Sequence, residues 1–329
     1  MTDTAAVLAI VPWLLLILAA EFVNGWTDAP NAIATVVSTR VLRPHHAVLM
    51  ASVLNAAGAF AGTAVAATIG KGILRAEVID VHTVGAAMMG IVVWSTAAWY
   101  YGLPTSESHA LVAGLAGAGL ATAGPSVLLW EGWKKVLIGI VFSTFLGFLG
   151  ALALMIGILW LFRRRHPGTV RRLFGRLQVV SAGLMAFSHG SNDGQKFIGV
   201  FTLALVLGGV LPRFEVPAWV ILLCAATMGL GTAVGGWRII KTMGLRLTKL
   251  EPVHGFAAET AAGLTIQGAA LLGIPLSTTH TISTAIMGVG ASRRLSAVRW
   301  GVAGNIIVAW ILTFPVCGLI AYVTAKLVR

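Results

Sequence analysis

Charge is scarce in this chain: Asp, Glu, Lys and Arg make up 10% of its 329 residues, where a soluble domain carries ~25%. With 57% hydrophobic residues and a mean hydropathy of +0.90, it has too little polar surface for a soluble globular protein. Acids are scarcest, 11 against 23 basic residues, for a net charge of +12. The basic residues gather between apolar runs, where cytoplasmic retention of Lys and Arg during membrane insertion leaves them. No nucleic-acid partner is therefore expected. Cysteine is almost absent; Cys224 and Cys317 both lie inside apolar runs, so neither a disulfide framework nor a resident metal centre is expected. The opening run, MTDTAAVLAIVPWLLLILAA, lacks a basic leader and carries Asp3, and is expected to be a retained first span.

What is present in quantity is uninterrupted apolar sequence. Ala47–Gly70, Thr83–Ser106, Val136–Phe162, Val216–Trp237 and Gly301–Ala325 carry no charge, and each is about as long as the ~20 residues a helix needs to cross a bilayer. An all-α, polytopic membrane protein follows, with the lipid bilayer as its solvent.

The chain also repeats itself. Phe22–Ile33 (FVNGWTDAPNAI) aligns 165 positions on with Phe187–Ile198 (FSHGSNDGQKFI), sharing Phe22/Phe187, Gly25/Gly190, Asp28/Asp193 and Ile33/Ile198. Gly102–Gly119 (GLPTSESHALVAGLAGAG) aligns 171 positions on with Gly273–Gly290 (GIPLSTTHTISTAIMGVG). Two matches in the same order mark a duplication: a first repeat over 1–162, a basic cytoplasmic loop over 163–176 and a second repeat over 177–329.

Charge sets the expected orientation. Arg163–Arg176 holds six basic residues and no acid, and Arg238–Glu251 holds four, so both belong inside. Two crossings fit between them, a polar-interrupted segment near Leu177–Val210 and a clean span near Pro217–Gly235. Treating each Gly-Pro-Ser block as a re-entrant hairpin puts fifteen basic residues inside, seven outside, and both termini outside. Each half then makes three crossings plus one hairpin, and the second half is inverted. Inverted repeats with interrupted helices are the architecture of secondary transporters, whose site lies at the midplane between repeats.

Few charges remain at depth: Glu21, Asp28, Glu107, Asp193, Lys196 and Glu259. An ionisable residue there marks function by default, although Glu21 and Glu259 also fit a structural ion pair or a side chain reaching the headgroups. Asp28 and Asp193 recur in both halves amid Gly, Asn and Ser, a composition expected to break the helix and free backbone carbonyls. Beside such carbonyls a carboxylate makes an oxygen site for Na⁺ or a protonatable site for H⁺; plain helix capping is the structural alternative. After Pro104 and Pro275 come runs of hydroxyls, then Gly-rich helices from His109 and His280. Hydroxyls and free amides at a helix start make an anion site, and two facing starts suit a tetrahedral oxyanion.

These blocks resemble the inorganic phosphate transporter (Pit) family over essentially the whole chain, through Thr27–Arg40, Gly102–His109, Phe187–Gly199, Lys241–Thr260 and Gly273–His280. The resemblance implies phosphate import by an inverted-repeat symporter of the bacterial low-affinity permease type, in the cell inner membrane, and no enzyme activity. It puts phosphate at Ser106, Ser108, Ser277, Thr278, Thr279, Asn31 and Lys196, and cation coupling at Asp28, Asp193, Asn24 and Asn192. No resident cofactor is implied. H⁺ and Na⁺ are the candidate coupling ions; sulfate, or a neutral metal–phosphate complex, stays open as cargo, and a homodimer stays open as the assembly. Sodium-coupled members tend to carry Asn-Asp-x-x-Asn in both halves, whereas this chain reads Thr27-Asp28-Ala29-Pro30-Asn31 and Asn192-Asp193-Gly194-Gln195-Lys196. An ammonium at Lys196 can take the place of one cation and pair with Asp193, so proton coupling is expected. Glu107, between Ser106 and Ser108, is a second departure: ionised it would repel phosphate, protonated it could donate to it, or it faces away.

Overall fold

The computed structural model of the chain describes residues 4–328, with side-chain environments from Leu8 onward. Asp3 and the extreme termini, which entered the orientation argument, lie outside the described residues. Those residues form thirteen α-helices and no β-strand. The first half comprises α1 (Thr4–Ser38), a pair α2 (Pro44–Ala59) and α3 (Ala64–Gly72), a hairpin of α4 (Val81–Tyr101) and α5 (Glu107–Ala123), and α6 (Trp130–Phe162). The second half repeats that order. Here α7 (Pro167–His189) continues into α8 (Gln195–Leu207) through one π turn at Gly190–Gly194. The pair α9 (Ala218–Val234) and α10 (Trp237–Lys241), the hairpin α11 (Pro252–Leu271) and α12 (Thr278–Ala291), and α13 (Trp300–Leu327) follow.

The halves exchange partners. Helix α5 lies against α13 while α12 lies against α6; α1 packs on α9, and α2 on α7. Such reciprocal packing is what an approximate two-fold relation between duplicated units produces, and it leaves α5 and α12 almost wholly buried at the centre.

Along the long helices the outward faces are apolar, and Glu21, Asp28, Glu107, Asp193, Lys196 and Glu259 are buried inside. Leu137, Val141, Phe145 and Leu149 on α6, and Ile311 and Leu319 on α13, are exposed. Trp130 and Trp160 stand near the two ends of α6, about 45 Å apart at ~1.5 Å per residue. That matches a bilayer with its headgroup regions, where Trp is enriched. Among the described residues, four helices are long and apolar enough to cross, α4 among them, or up to six if each bent pair counts as one span.

Three expectations change. The charge-free runs Ala47–Gly70 and Val216–Trp237 are not plain spans: they contain the breaks between α2 and α3 and between α9 and α10, bent by 68° and 59°. At the second bend Gly235 takes a φ of +70°, open to glycine without penalty. The basic stretch 163–176 is mostly not a loop; only 163–166 link α6 to α7, because Pro167 opens the helix and His166 caps it through Gly168 N. Finally, the Asp28 block does not break. Helix α1 runs through Asn24–Asn31, Pro30 included, and the Asp193 block changes only to one π turn. Surrounding helices sustain such segments where no water competes for the backbone.

Candidate functional site

Each hairpin turns on a glycine in the left-handed region, Gly102 (φ +68°) after α4 and Gly273 (φ +66°) after α11. The next residues bring two serines to helix starts. Ser106 Oγ accepts from His109 N at 3.3 Å and Ser277 Oγ from His280 N at 3.1 Å. Ser277 Oγ in turn donates to Ser106 Oγ at 2.8 Å, so the starts of α5 and α12 touch. The rings of His109 and His280 meet behind them, 4.4 Å between centroids. Each pair joins a residue to its own counterpart 171 positions on.

The aspartate blocks close around these tips. Asn31 Nδ2 donates to Thr279 Oγ1 at 3.0 Å and to Thr278 Oγ1 at 3.3 Å. The counterpart of the Asn31–Thr279 contact is Lys196–Ser108, Nζ donating to Oγ at 2.5 Å. Lys196 also donates to Asp193 Oδ1 at 2.6 Å and to the Leu276 carbonyl at 2.9 Å, which uses all three ammonium protons. Thr278 donates to Asp193 Oδ2 at 3.1 Å; Thr279 reaches Asp28 only at 3.4 Å. Ser108 Oγ is also 2.8 Å from the Leu276 carbonyl. None of these tip and block side chains is more than 5% exposed.

One member of the cluster was not foreseen. His189 Nε2 lies 3.9 Å from Asp28 Oδ2 and 3.7 Å from Asp193 Oδ2, between the two carboxylates. Its Nδ1 is 3.2 Å from Asn55 Oδ1 on α2, and its Nε2 has no hydrogen-bond partner. Glycine permits this crossing: a Cβ on Gly190 would come within 1.9 Å of the Asn55 carbonyl oxygen. Ligand atoms of Asp28, His189 and Asp193 lie within 4.8 Å of one another, a set that could hold a cation. The available signal was spacing, since His189 precedes Asp193 by one helical turn and aligns with Asn24 in the repeat.

Other expected members sit apart. Asn24 Nδ2 donates to Glu21 at 2.8 Å and Asn192 Nδ2 to the Ile274 carbonyl at 3.2 Å. Glu107 faces away from the tip hydroxyls, its two oxygens accepting from Thr27 and Ser95 at 2.8 Å each. Glu259 belongs to a separate polar knot between α1, α7 and α11, accepting from Thr35 at 2.5 Å, Gln178 at 3.1 Å and Ser181.

The chain resembles known proteins over nearly its whole length. Residues 24–321 fit the description of the phosphate transporter family. A chain from Rhizobium meliloti, named a probable low-affinity inorganic phosphate transporter, is 49% identical over 313 residues, covering 94% of each chain. One of the same name from Bacillus subtilis is 40% identical over 311 residues, 93% of each. A solved structure described as the sodium-dependent phosphate transporter superposes with a TM-score of 0.90 over 97% of this chain and 98% of that one. At 24% identity it establishes the fold.

Proposed function

Because the chain belongs to the phosphate transporter family, we propose that it imports inorganic phosphate by proton-coupled symport, where the two hairpin tips meet the two aspartate blocks. The observation that carries this reading is the contact of two helix starts through Ser106 and Ser277 at 2.8 Å. Phosphate is an acceptor in every direction. It would take hydrogen bonds from Ser106, Ser108, Ser277, Thr278, Thr279 and Asn31, together with amides at the starts of α5 and α12. These groups now bond to one another, so the anion exchanges internal hydrogen bonds for its own.

The electrostatics favour protons. Lys196 Nζ, 2.6 Å from Asp193, is a fixed cation where a coupling ion would otherwise bind. Asp28 has no ammonium at the equivalent place, only His189 at 3.9 Å, and is our choice for the reversibly protonated group. Lys196 contacts phosphate when the anion displaces Ser108 or the Leu276 carbonyl from one of its protons. Measuring ³²P-phosphate uptake into proteoliposomes, at fixed pH with choline in place of sodium, tests the coupling. Uptake should persist and follow an imposed pH gradient; collapse, with recovery in a sodium gradient alone, would refute it.

A second reading concerns the cargo. Two carboxylates and an imidazole suit a divalent metal, and Asp28, His189 and Asp193 would take the cation of a neutral metal–phosphate complex as co-substrate. Uptake of metal and phosphate in equal amounts would support it; undiminished phosphate uptake with a chelator present would end it. We place the chain in the inner membrane with its halves inverted and both termini outside. Single cysteines at Arg171 and Lys326 should then label from opposite faces of intact cells, and labelling from one face would overturn the inversion.

A further inference from the structure

Away from the transport site, the end of α6, the start of α7 and the start of α11 enclose a cavity of about 270 Å³. Its floor is apolar, from Ile158, Leu159 and Phe162, and its rim is basic, from Arg163, Arg165 and Arg171. Not all of this charge is free. Arg293, also on the rim, bonds Glu251 at 2.7 Å, and Arg163 lies over the Trp160 ring at 5.2 Å. Arg165 and Arg171 form no ion pair among the described residues, and Glu251, the acid that also lines the cavity, is near enough for Arg171 to act on its carboxyl.

A buried donor lies against the same cavity. His254 lines it and is 2% exposed. Its Nδ1 accepts from Glu251 N at 3.2 Å, which puts the ring proton on Nε2, and Nε2 has no partner. A buried N–H without an acceptor costs free energy unless something binds there. The missing acceptor and two arginines outside any ion pair call for the same chemistry, a phosphate or comparable oxyanion group.

The floor selects the source. It continues into the exposed apolar flank of α6, where Ile156, Trp160 and Leu161 point outward at the end of a membrane-length helix. Free phosphate would satisfy the rim and leave that floor unused. Basic pockets between spans at the cytoplasmic boundary take anionic headgroups. We propose that this cavity binds an anionic phospholipid, its phosphodiester held by Arg165, Arg171 and His254 Nε2 and its acyl chain lying along α6. The inference requires only that α6 crosses a bilayer, and does not depend on which ion drives transport.

The purified full chain in detergent would be titrated with phosphatidylglycerol, phosphatidylcholine or inorganic phosphate, with bound lipid read by native mass spectrometry. Phosphatidylglycerol should bind about tenfold or more tightly than phosphatidylcholine, from ~1 kcal/mol per arginine. Arg165→Gln/Arg171→Gln should lose that preference, while Arg246→Gln/Lys249→Gln, also basic but away from the cavity, should keep it. A photoactivatable phosphatidylglycerol should label the segment 155–171 of the wild type, a readout independent of any variant's folding. Equal preference in both variants, or labelling elsewhere, would overturn the site. Complete displacement of the lipid by millimolar inorganic phosphate would overturn the lipid assignment in favour of a free anion.

Discussion

Asp28 and Asp193 stand 165 positions apart and face one cluster of hydroxyls, yet their surroundings differ. Asp193 has an ammonium at 2.6 Å and Thr278 at 3.1 Å. Asp28 has Thr279 at 3.4 Å and a shared imidazole at 3.9 Å. The two blocks hold matching places in the fold, and their chemistry differs at single positions. Where the first half has Asn24 and Asn31, the second has His189 and Lys196. One copy forms a closed ion pair with an ammonium, and the other has no basic side chain nearer than the shared imidazole. The pair is thus asymmetric, and we propose that one member supplies fixed charge and the other coupling.

The hardest way to break this comparison is to strand the ammonium. Asp193→Asn leaves Lys196 charged, buried and without its counter-ion, a defect worth ~3–5 kcal/mol. Thermal unfolding in detergent should show the largest loss of any variant here, and Asp193→Asn/Lys196→Asn should regain most of it. A double variant as unstable as the single one would mean the ion pair is not what Asp193 contributes.

Making the halves alike is the next step. Lys196→Asn restores in the second half the residue found at Asn31, and should create sodium-dependent uptake where the wild type has none. Asp28→Asn should abolish accumulation driven by a pH gradient while leaving phosphate exchange, with a smaller stability loss than Asp193→Asn because no ammonium is stranded. Accumulation by Asp28→Asn at the wild-type level would move the coupling proton elsewhere.

The tips should respond alike, because their serines are counterparts in direct contact. Ser106→Ala and Ser277→Ala should each weaken phosphate binding by ~1–3 kcal/mol, or about fivefold to more than a hundredfold. Because Ser277 donates to Ser106, the double variant should cost less than the two losses added. Wild-type affinity in both single variants would remove the tips from the site.

How much of this was legible in the sequence follows from what each signal depends on. The duplication, the hairpins and the Lys196–Asp193 pair were readable because they rest on local spacing and on residue types with few other uses in a membrane. Helix α1 was misread at Asn24–Asn31 because Gly, Asn and Pro end helices in water, whereas here neighbouring helices leave the backbone nothing better to bond to. The two bends were missed because glycine and small polar residues interrupt a span without adding charge. His189 was quoted in its motif but given no role; its place between the carboxylates depends on how α2 crosses α7, which no local pattern encodes. The orientation of Glu107 was open for the same reason: Thr27, which turns it away, is 80 positions distant.

The comparison can be sharpened most gently at the rim. Asp80 and Glu251, 171 positions apart, hold the N-cap positions of α4 and α11, the first arms of the two hairpins. Asp80 accepts from Thr83 N at 2.9 Å; Glu251 shares a capping box with His254 and is also 2.7 Å from Arg293. The hydrogen bond from Arg293 holds the Glu251 carboxyl below its ordinary value. A carboxyl with a depressed value in the folded state stabilises the fold above its unfolded value of ~4.3. That stabilisation fades as the pH falls through the folded value. Glu251 and Arg293 are 54% and 39% exposed, so solvent screening keeps the pair under about 1 kcal/mol. Glu251→Gln should therefore lower the unfolding midpoint by no more than about 2 °C at pH 7. As the pH falls below the folded value the variant and the wild type should converge, because protonation then costs the wild type its carboxylate. A gap that persists unchanged at low pH would mean that the carboxylate and its ion pair are not what Glu251 contributes.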